Sequence, residues 1–279
     1  MEKIFIDGNS LTLEEFINVV RNGYKVELTK KATEEIEKSR KLVDKYVEEE
    51  KAVYGITTGF GKFSDVSISK EETKKLQRNL IISHACGVGD PLDEEIVRGV
   101  MLLRANALAK GYSGIRLSTL NTLIDMLNKG VHPIIPEKGS LGASGDLAPL
   151  AHMVLVMLGE GEAYYKGERL SGKEAMDKAG ISIVELTSKE GLALINGTQV
   201  MTSIGALATY DGIKLSKMAD ITAALTVEAL NGITDAYDQR INQVRAHQGQ
   251  MDTSKNLLNL LDNSQMTTRQ GELRVQDAY

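Results

Sequence analysis

The tripeptide Ala143-Ser144-Gly145, within GSLGASGDLAPL (139–150), joins three residue types that together permit a main-chain reaction. Glycine has no Cβ, so the Gly145 backbone nitrogen can fold back toward the carbonyl carbon two residues earlier. Ala143 leaves that carbonyl open to approach, and Ser144 supplies a β-hydroxyl that can depart as water. Ring closure with two dehydrations would give a five-membered ring bearing an exocyclic methylidene, an electrophile that no ordinary side chain offers. The same residues also suit a tight turn that Asp146 caps as N-cap of the following helix, and the glycines alone leave both readings open. Spacing excludes three familiar motifs. Gly139, Gly142 and Gly145 run G-x-x-G-x-x-G after a Pro-rich loop, which is no dinucleotide fingerprint. Gly142-Ala143-Ser144-Gly145 is one residue short of a nucleophile elbow. GITTGFGKF places Phe63 where a phosphate loop needs Ser or Thr.

Other side chains suited to chemistry are scattered. Tyr54 opens YGITTGFGKFSD; a free tyrosine has a pKa near 10, so it needs neighbours before it can act as a base at neutral pH. Its alternative is a loop tyrosine packed on the core. His84 ends a predicted helix, where a histidine is favoured by the macrodipole. Asn196, before Gly197, reads as a helix break or cap. His132, His152, His247 and Cys86 show no metal-ligand spacing, so no metal site is expected, and His152 is expected to pack within its helix.

GSLGASGDLAPLAHMVL resembles the signature of the aromatic amino acid ammonia-lyases and 2,3-aminomutases. YGITTGFGKFSD is similar to that family's tyrosine loop, NLIISHACGVGDPL to its substrate-selectivity helix, LALINGTQVMT to its asparagine segment, and RVQDAY to the start of its next active-site block. The resemblance runs from about residue 2 to residue 279. It implies the cofactor 4-methylidene-imidazol-5-one (MIO), formed from Ala143-Ser144-Gly145, with Asp146 assisting ring formation. It implies Tyr54 as the base that removes the β-proton, and His84, Asn196, Gln276 and Tyr279 as residues lining the substrate pocket. The Ser83-His84 pair resembles the histidine ammonia-lyase version, which implies elimination of ammonia from L-histidine to give urocanate. Tyrosine or phenylalanine ammonia-lyase and 2,3-aminomutase activity stay open, as does a helical interaction protein that keeps the fold without catalysis. For Gln276 and Tyr279 the alternative is a frayed terminus.

The elements that must position these residues are mostly helices. Pro occurs four times and Trp never, while Leu, Ala, Lys and Glu are plentiful. KIFIDGNSLTLEEF predicts a short strand, a turn at Asp7-Gly8 and a helix; Ser69 with Glu72 predicts a capping box for KEETKKLQRNLIISHA. DPLDEEIVRGVMLLRANALAKG and IRLSTLNTLIDMLNKG predict two more helices, the first stopped at Gly111. AYYKGERLS predicts a hairpin turning at Lys166-Gly167. From Thr187, where Glu190 would complete a second capping box, apolar periodicity continues to about residue 231. Apolar coverage on several sides predicts central burial there. The fold class expected is mainly α, with few short strands: a domain over 1–186 bearing the MIO, then the start of a central helical bundle over 187–279.

Net charge is −5 and no basic stripe occurs, so nucleic acid is not expected as a partner. No uncharged apolar run reaches about 18 residues, so no membrane span is expected. A single cysteine and an acidic, mixed N-terminus with no signal-peptide pattern point to the cytoplasm. The chain is shorter than the resemblance requires. It stops before the family's carboxylate-clamping arginine and most of the bundle that builds a homotetramer. A truncated, inactive fragment with an uncyclised tripeptide is therefore expected, and it should expose apolar helix faces.

Overall fold

A computed structural model describes residues 2–49, 53, 56, 58, 70–141 and 145–278, with only the backbone of 70–72. The fold is mainly α. The chain divides into two compact units, Met1–Leu207 and Ala208–Tyr279. That division falls later than the 186/187 boundary suggested by sequence.

The first unit opens with β1 (Lys3–Ile6), α1 (Leu13–Val20), β2 (Lys25–Leu28) and α2 (Lys30–Glu48). Helix α1 starts where it does because Thr12 and Glu15 form a reciprocal capping box. Strands β1 and β2 pair in parallel, Ile6 opposite Leu28. Strand β2 was not anticipated, since its four residues carry little pattern of their own. Its outer edge is completed by the side chain of Asn128, which donates to the Val26 carbonyl and accepts from the Val26 N–H, both at 2.8 Å.

Then follow α3 (Lys70–His84), β3 (Val88–Pro91), α4 (Glu94–Ala109), α5 (Leu117–Lys129), β4 (Val131–Pro133) and β5 (Pro136–Lys138). Gly111 (φ +76°) follows the last turn of α4, and Gly130 (φ +78°) ends α5, both in the left-handed region a helix stop needs. Next come α6 (Leu147–Met157), β6 (Glu162–Tyr165), β7 (Glu168–Ser171), α7 (Gly172–Lys178) and α8 (Glu190–Ile195). The β6–β7 hairpin turns at Lys166-Gly167, both with positive φ, as expected. Helices α3, α6 and α8 pack on one another, and α4 packs on α1, α2 and α5. The core gathers Met101, Leu102 and Leu108 of α4, Leu120 and Leu123 of α5, and Leu150, Met153 and Val154 of α6, all fully buried.

The second capping box is only half made. The Thr187 N–H donates to the Glu190 carboxylate at 2.9 Å, but Lys189 is the N-cap of α8 and the Glu190 N–H donates to the Thr187 carbonyl. The missing half is the Thr187 hydroxyl, which donates to the Glu190 carboxylate and accepts from Arg40 Nη2, both at 3.2 Å, and takes no bond from the Glu190 N–H; Arg116 Nη2 joins the same carboxylate at 2.6 Å. Burial works to raise the Glu190 pKa, yet Arg116 and the other donors hold it below the usual carboxylate value. The Ser69–Glu72 box lies outside the described residues.

Helix α9 (Gln199–Ala229) begins in the first unit and ends in the second. Central burial of 187–231 is not found along it. Met201, Ile213, Leu215, Met218, Ile221 and Leu225 are all exposed, the outcome expected of a shortened chain. In the second unit α10 (Gln239–Arg245) and α11 (Gln248–Leu260) pack around Ala224, Leu257 and Leu261. Buried Asn242 donates to Ser254, which donates to the Tyr237 carbonyl.

Candidate active site

The described part of the site forms where the segment before α6 meets the turn between α8 and α9. Gly145 has φ +75°, which favours glycine, and an added Cβ would press on Thr198 Cγ2 at 3.1 Å. It pairs by an isolated bridge with Gly197, and the Asp146 N–H donates to the Gly197 carbonyl at 3.1 Å. The Gly145 carbonyl accepts from the Leu141 N–H at 3.2 Å, which closes the loop on itself.

Asp146 does not cap its own helix with its side chain. Fully buried, its Oδ2 accepts from the backbone N–H groups of Val200 and Met201 at 2.8 and 3.0 Å, and Oδ1 accepts from the Ser140 hydroxyl at 2.8 Å. It therefore caps α9, a helix that starts more than fifty residues later in the chain. The positive end of that helix suits a carboxylate, and two of its orphan N–H groups find an acceptor there.

Asn196 ends α8 with extended backbone, which breaks the apolar run before α9. Its carbonyl accepts from Arg104 Nη1 at 2.9 Å, and the same nitrogen donates to Gln199 Oε1 at 2.9 Å. Sequence reading passed over Arg104. The available signal was a single cation on the α4 face that carries Val97, Val100, Met101 and Leu108, all of which are buried.

His84 is half-buried at the end of α3. Its Nδ1 lies 2.8 Å from the Leu80 carbonyl. A carbonyl only accepts, so Nδ1 carries the proton in the neutral ring and Nε2 presents a lone pair. Three residues on, the Gly87 N–H donates to His152 Nε2 at 3.0 Å. A Cβ on Gly139 would lie 3.3 Å from the Gly87 Cα, so the Gly-rich loop touches the segment just past α3 through bare backbone. His152 thus joins α6 to the α3 terminus instead of merely packing in its own helix. Burial lowers its pKa, which favours the neutral ring that this bond requires.

The structure brings together Gly145, Asp146 and the Asn196–Gly197 turn, and sets Gly87, three residues past His84, against Gly139. Gln276 belongs to the second unit, where it lines a cavity with Ile233, Ile241 and Val275. The chain beside it is tied down, because Asp277 accepts from the Ile233 N–H at 2.8 Å and from Arg274 at 2.7 Å. Tyr54, Ala143, Ser144 and Tyr279 lie outside the described residues. Among the described residues no cluster of His, Cys, Asp and Glu could hold a metal ion, and no helix is long and apolar enough to cross a membrane.

The small-residue loop, the left-handed glycine and the shared α8–α9 turn define one class, and residues 11–279 match the aromatic amino acid lyase family, to which the chain belongs. Among particular relatives, histidine ammonia-lyase of Alkaliphilus oremlandii is 69% identical over the whole chain, which covers 55% of that protein. A solved structure of phenylalanine aminomutase from Pantoea agglomerans superposes with a TM-score of 0.90 at 34% identity, over 98% of this chain and 52% of the other. Histidine ammonia-lyase from Trypanosoma cruzi superposes with a TM-score of 0.85 at 37% identity, over 92% of this chain and 49% of the other. The chain spans about half the length of the curated relatives it matches.

Proposed function

We propose that this chain supplies the electrophile-bearing half of an ammonia-lyase that converts L-histidine to urocanate. One observation carries the reading: Gly145 is held left-handed against Gly197, beside a buried Asp146. This arrangement fits the proposed MIO, whose ring would come from Ala143, Ser144 and Gly145. Forming it joins the Gly145 nitrogen to the Ala143 carbonyl carbon with loss of one water, and a second water leaves from Ser144 Cα–H and Cβ–OH. Ser140 and the first turn of α9 keep Asp146 fixed beside the Gly145 peptide.

The ring, once formed, supplies an acceptor for the substrate amine, which turns the amine into a better leaving group. This chain's residues then have separate tasks. Tyr54 takes the β-proton. Asn196 aligns substrate beside the ring, and His84 offers its Nε2 lone pair to a substrate imidazole N–H. Gln276 and Tyr279 complete the pocket. The names of the close sequence relatives favour histidine, while the phenylalanine aminomutase neighbour keeps a 2,3-shift of the amine as the second reading.

We further propose that the protein works as a homotetramer in the cytoplasm, with the exposed apolar faces of α9 covered by further chain and by other subunits. These 279 residues alone then carry the tripeptide uncyclised and release no ammonia. Intact mass tests this directly, since a deficit of two waters in this chain would overturn it. In a chain extended to the relatives' length, Ser144→Ala is expected to keep the plain sequence mass and abolish urocanate formation from L-histidine. Urocanate formation by that variant at the wild-type rate, or a β-amino acid product from the wild type, would reject the lyase reading.

A further inference from the structure

We propose that Arg104 is a positioning residue for the proposed ring-forming loop: its guanidinium fixes the Asn196–Gly197 corner on which the Gly145 peptide is aligned. This rests on the ring-forming reading above. Arg104 is 4% exposed, on a helix face otherwise occupied by Val97, Val100, Met101 and Leu108. It faces no carboxylate among the described residues. Among the described residues its two acceptors are neutral, the Asn196 carbonyl and the Gln199 side chain, and its Nε has no partner. Burial alone draws its pKa down to about 10, so it stays charged at neutral pH. A buried, uncompensated cation costs several kcal/mol of desolvation, and an apolar residue of similar volume is often as stable or more so. Packing therefore does not account for arginine at this position.

The corner accounts for it. The oxygen that Arg104 holds belongs to the Asn196–Gly197 peptide, so that plane cannot rotate without breaking the bond. The next carbonyl, that of Gly197, receives the Asp146 N–H, and Gly197 pairs with Gly145. A Cβ on Gly197 would lie 2.3 Å from Arg104 Nη1, so the guanidinium rests on a bare Cα. Contacts thus run without a gap from Arg104 through Gly197 to the nucleophilic end of the tripeptide. The Asp146 carboxylate, the other side-chain grip on the α9 start, binds amides two and three residues beyond Thr198, and only the Asp146 backbone N–H reaches the corner, at the Gly197 carbonyl.

The test uses chains extended to the relatives' length, with thermal midpoint, intact mass and steady-state kinetics on each. Arg104→Met is expected to melt at or above the wild-type temperature, as removal of a buried charge predicts. The fraction of chains lacking two waters should nonetheless fall about fivefold at matched times after synthesis, and kcat per modified chain about tenfold with little change in KM. Arg104→Lys should recover part of both losses, because its ammonium can reach one of the two acceptors. A folded Arg104→Met chain that is fully modified and turns over at the wild-type kcat overturns the inference alone. A wild-type chain with no mass deficit overturns the ring reading before any variant is compared. If Arg104→Met does not fold, Gln199→Leu carries the test: intermediate losses in both readouts support the inference, and wild-type values overturn it.

Discussion

Helices α6 and α9 are both rich in apolar residues and have opposite surroundings. In α6 eight of the eleven residues are buried, Leu150, Met153 and Val154 completely. Along α9 only Val200, Ser203, Leu207 and Ala224 are buried, while Leu215 is 71% and Leu225 61% exposed. The pattern of a sequence states that a helix needs an apolar partner, and only the fold says whether the same chain provides one. The difference is sharpest in stability. Leu150→Ala should cost about 2–5 kcal/mol by losing both transfer energy and packing. Leu215→Ala and Leu225→Ala should stay within about 0.5 kcal/mol in this chain. Denaturant titrations of the three variants at low protein concentration check this, and equal costs would break the contrast.

One residue couples the two helices. Asp146 stands immediately before α6 and holds the first turn of α9, so removing it should loosen α9 and spare α6. Asp146→Ala leaves two amides without an acceptor, and an expected cost is about 1–3 kcal/mol. Amide exchange gives the more specific reading. The Val200 and Met201 amides should lose protection, whereas Val154 and Val156, in the middle of α6, should keep theirs. Loss of protection spread evenly over both helices would mean that Asp146 supports the whole unit and not the α9 start.

Much of this was legible from local pattern. The hairpin at Lys166-Gly167 and the stop at Gly111 follow from backbone chemistry that no distant contact changes. The break at Asn196 was visible for the same reason, and glycine at 145 was already the residue on which ring closure turned. What escaped were partners distant in sequence. Asp146 has the right type and place for a local N-cap, yet two amides at 200 and 201 compete for its carboxylate and win. Thr187 fits the N-cap of a capping box until Arg40 takes its hydroxyl. Strand β2 becomes a strand only because β1 and Asn128 bond to it. Arg104 carried a sequence signal, a charge on a buried face, but its acceptors lie more than ninety residues away.

The contrast also predicts where pH acts. Helix α9 buries no ionisable side chain, whereas the first unit buries His132 on β4. Arg98 Nη1 lies 3.1 Å from His132 Nε2; a guanidinium only donates, so Nε2 accepts and Nδ1, 3.3 Å from Glu94, carries the proton. Burial, and to a lesser degree Arg98, push the His132 pKa down to about 4 against the opposing pull of Glu94. The folded chain then binds fewer protons than the unfolded one between about pH 4 and 6.5. This contribution to stability is complete above the unfolded pKa and is lost as pH falls toward the folded one. From pH 7 to pH 5 the loss should reach up to about 2 kcal/mol. His132→Gln can accept from Arg98 and donate to Glu94 without titrating, so it should flatten the stability profile over that interval. Lys217→Ala, on the exposed surface of α9, should leave the profile as it is. If His132→Gln and the wild type lose stability in parallel between pH 7 and 5, the pH sensitivity lies in groups other than this buried imidazole.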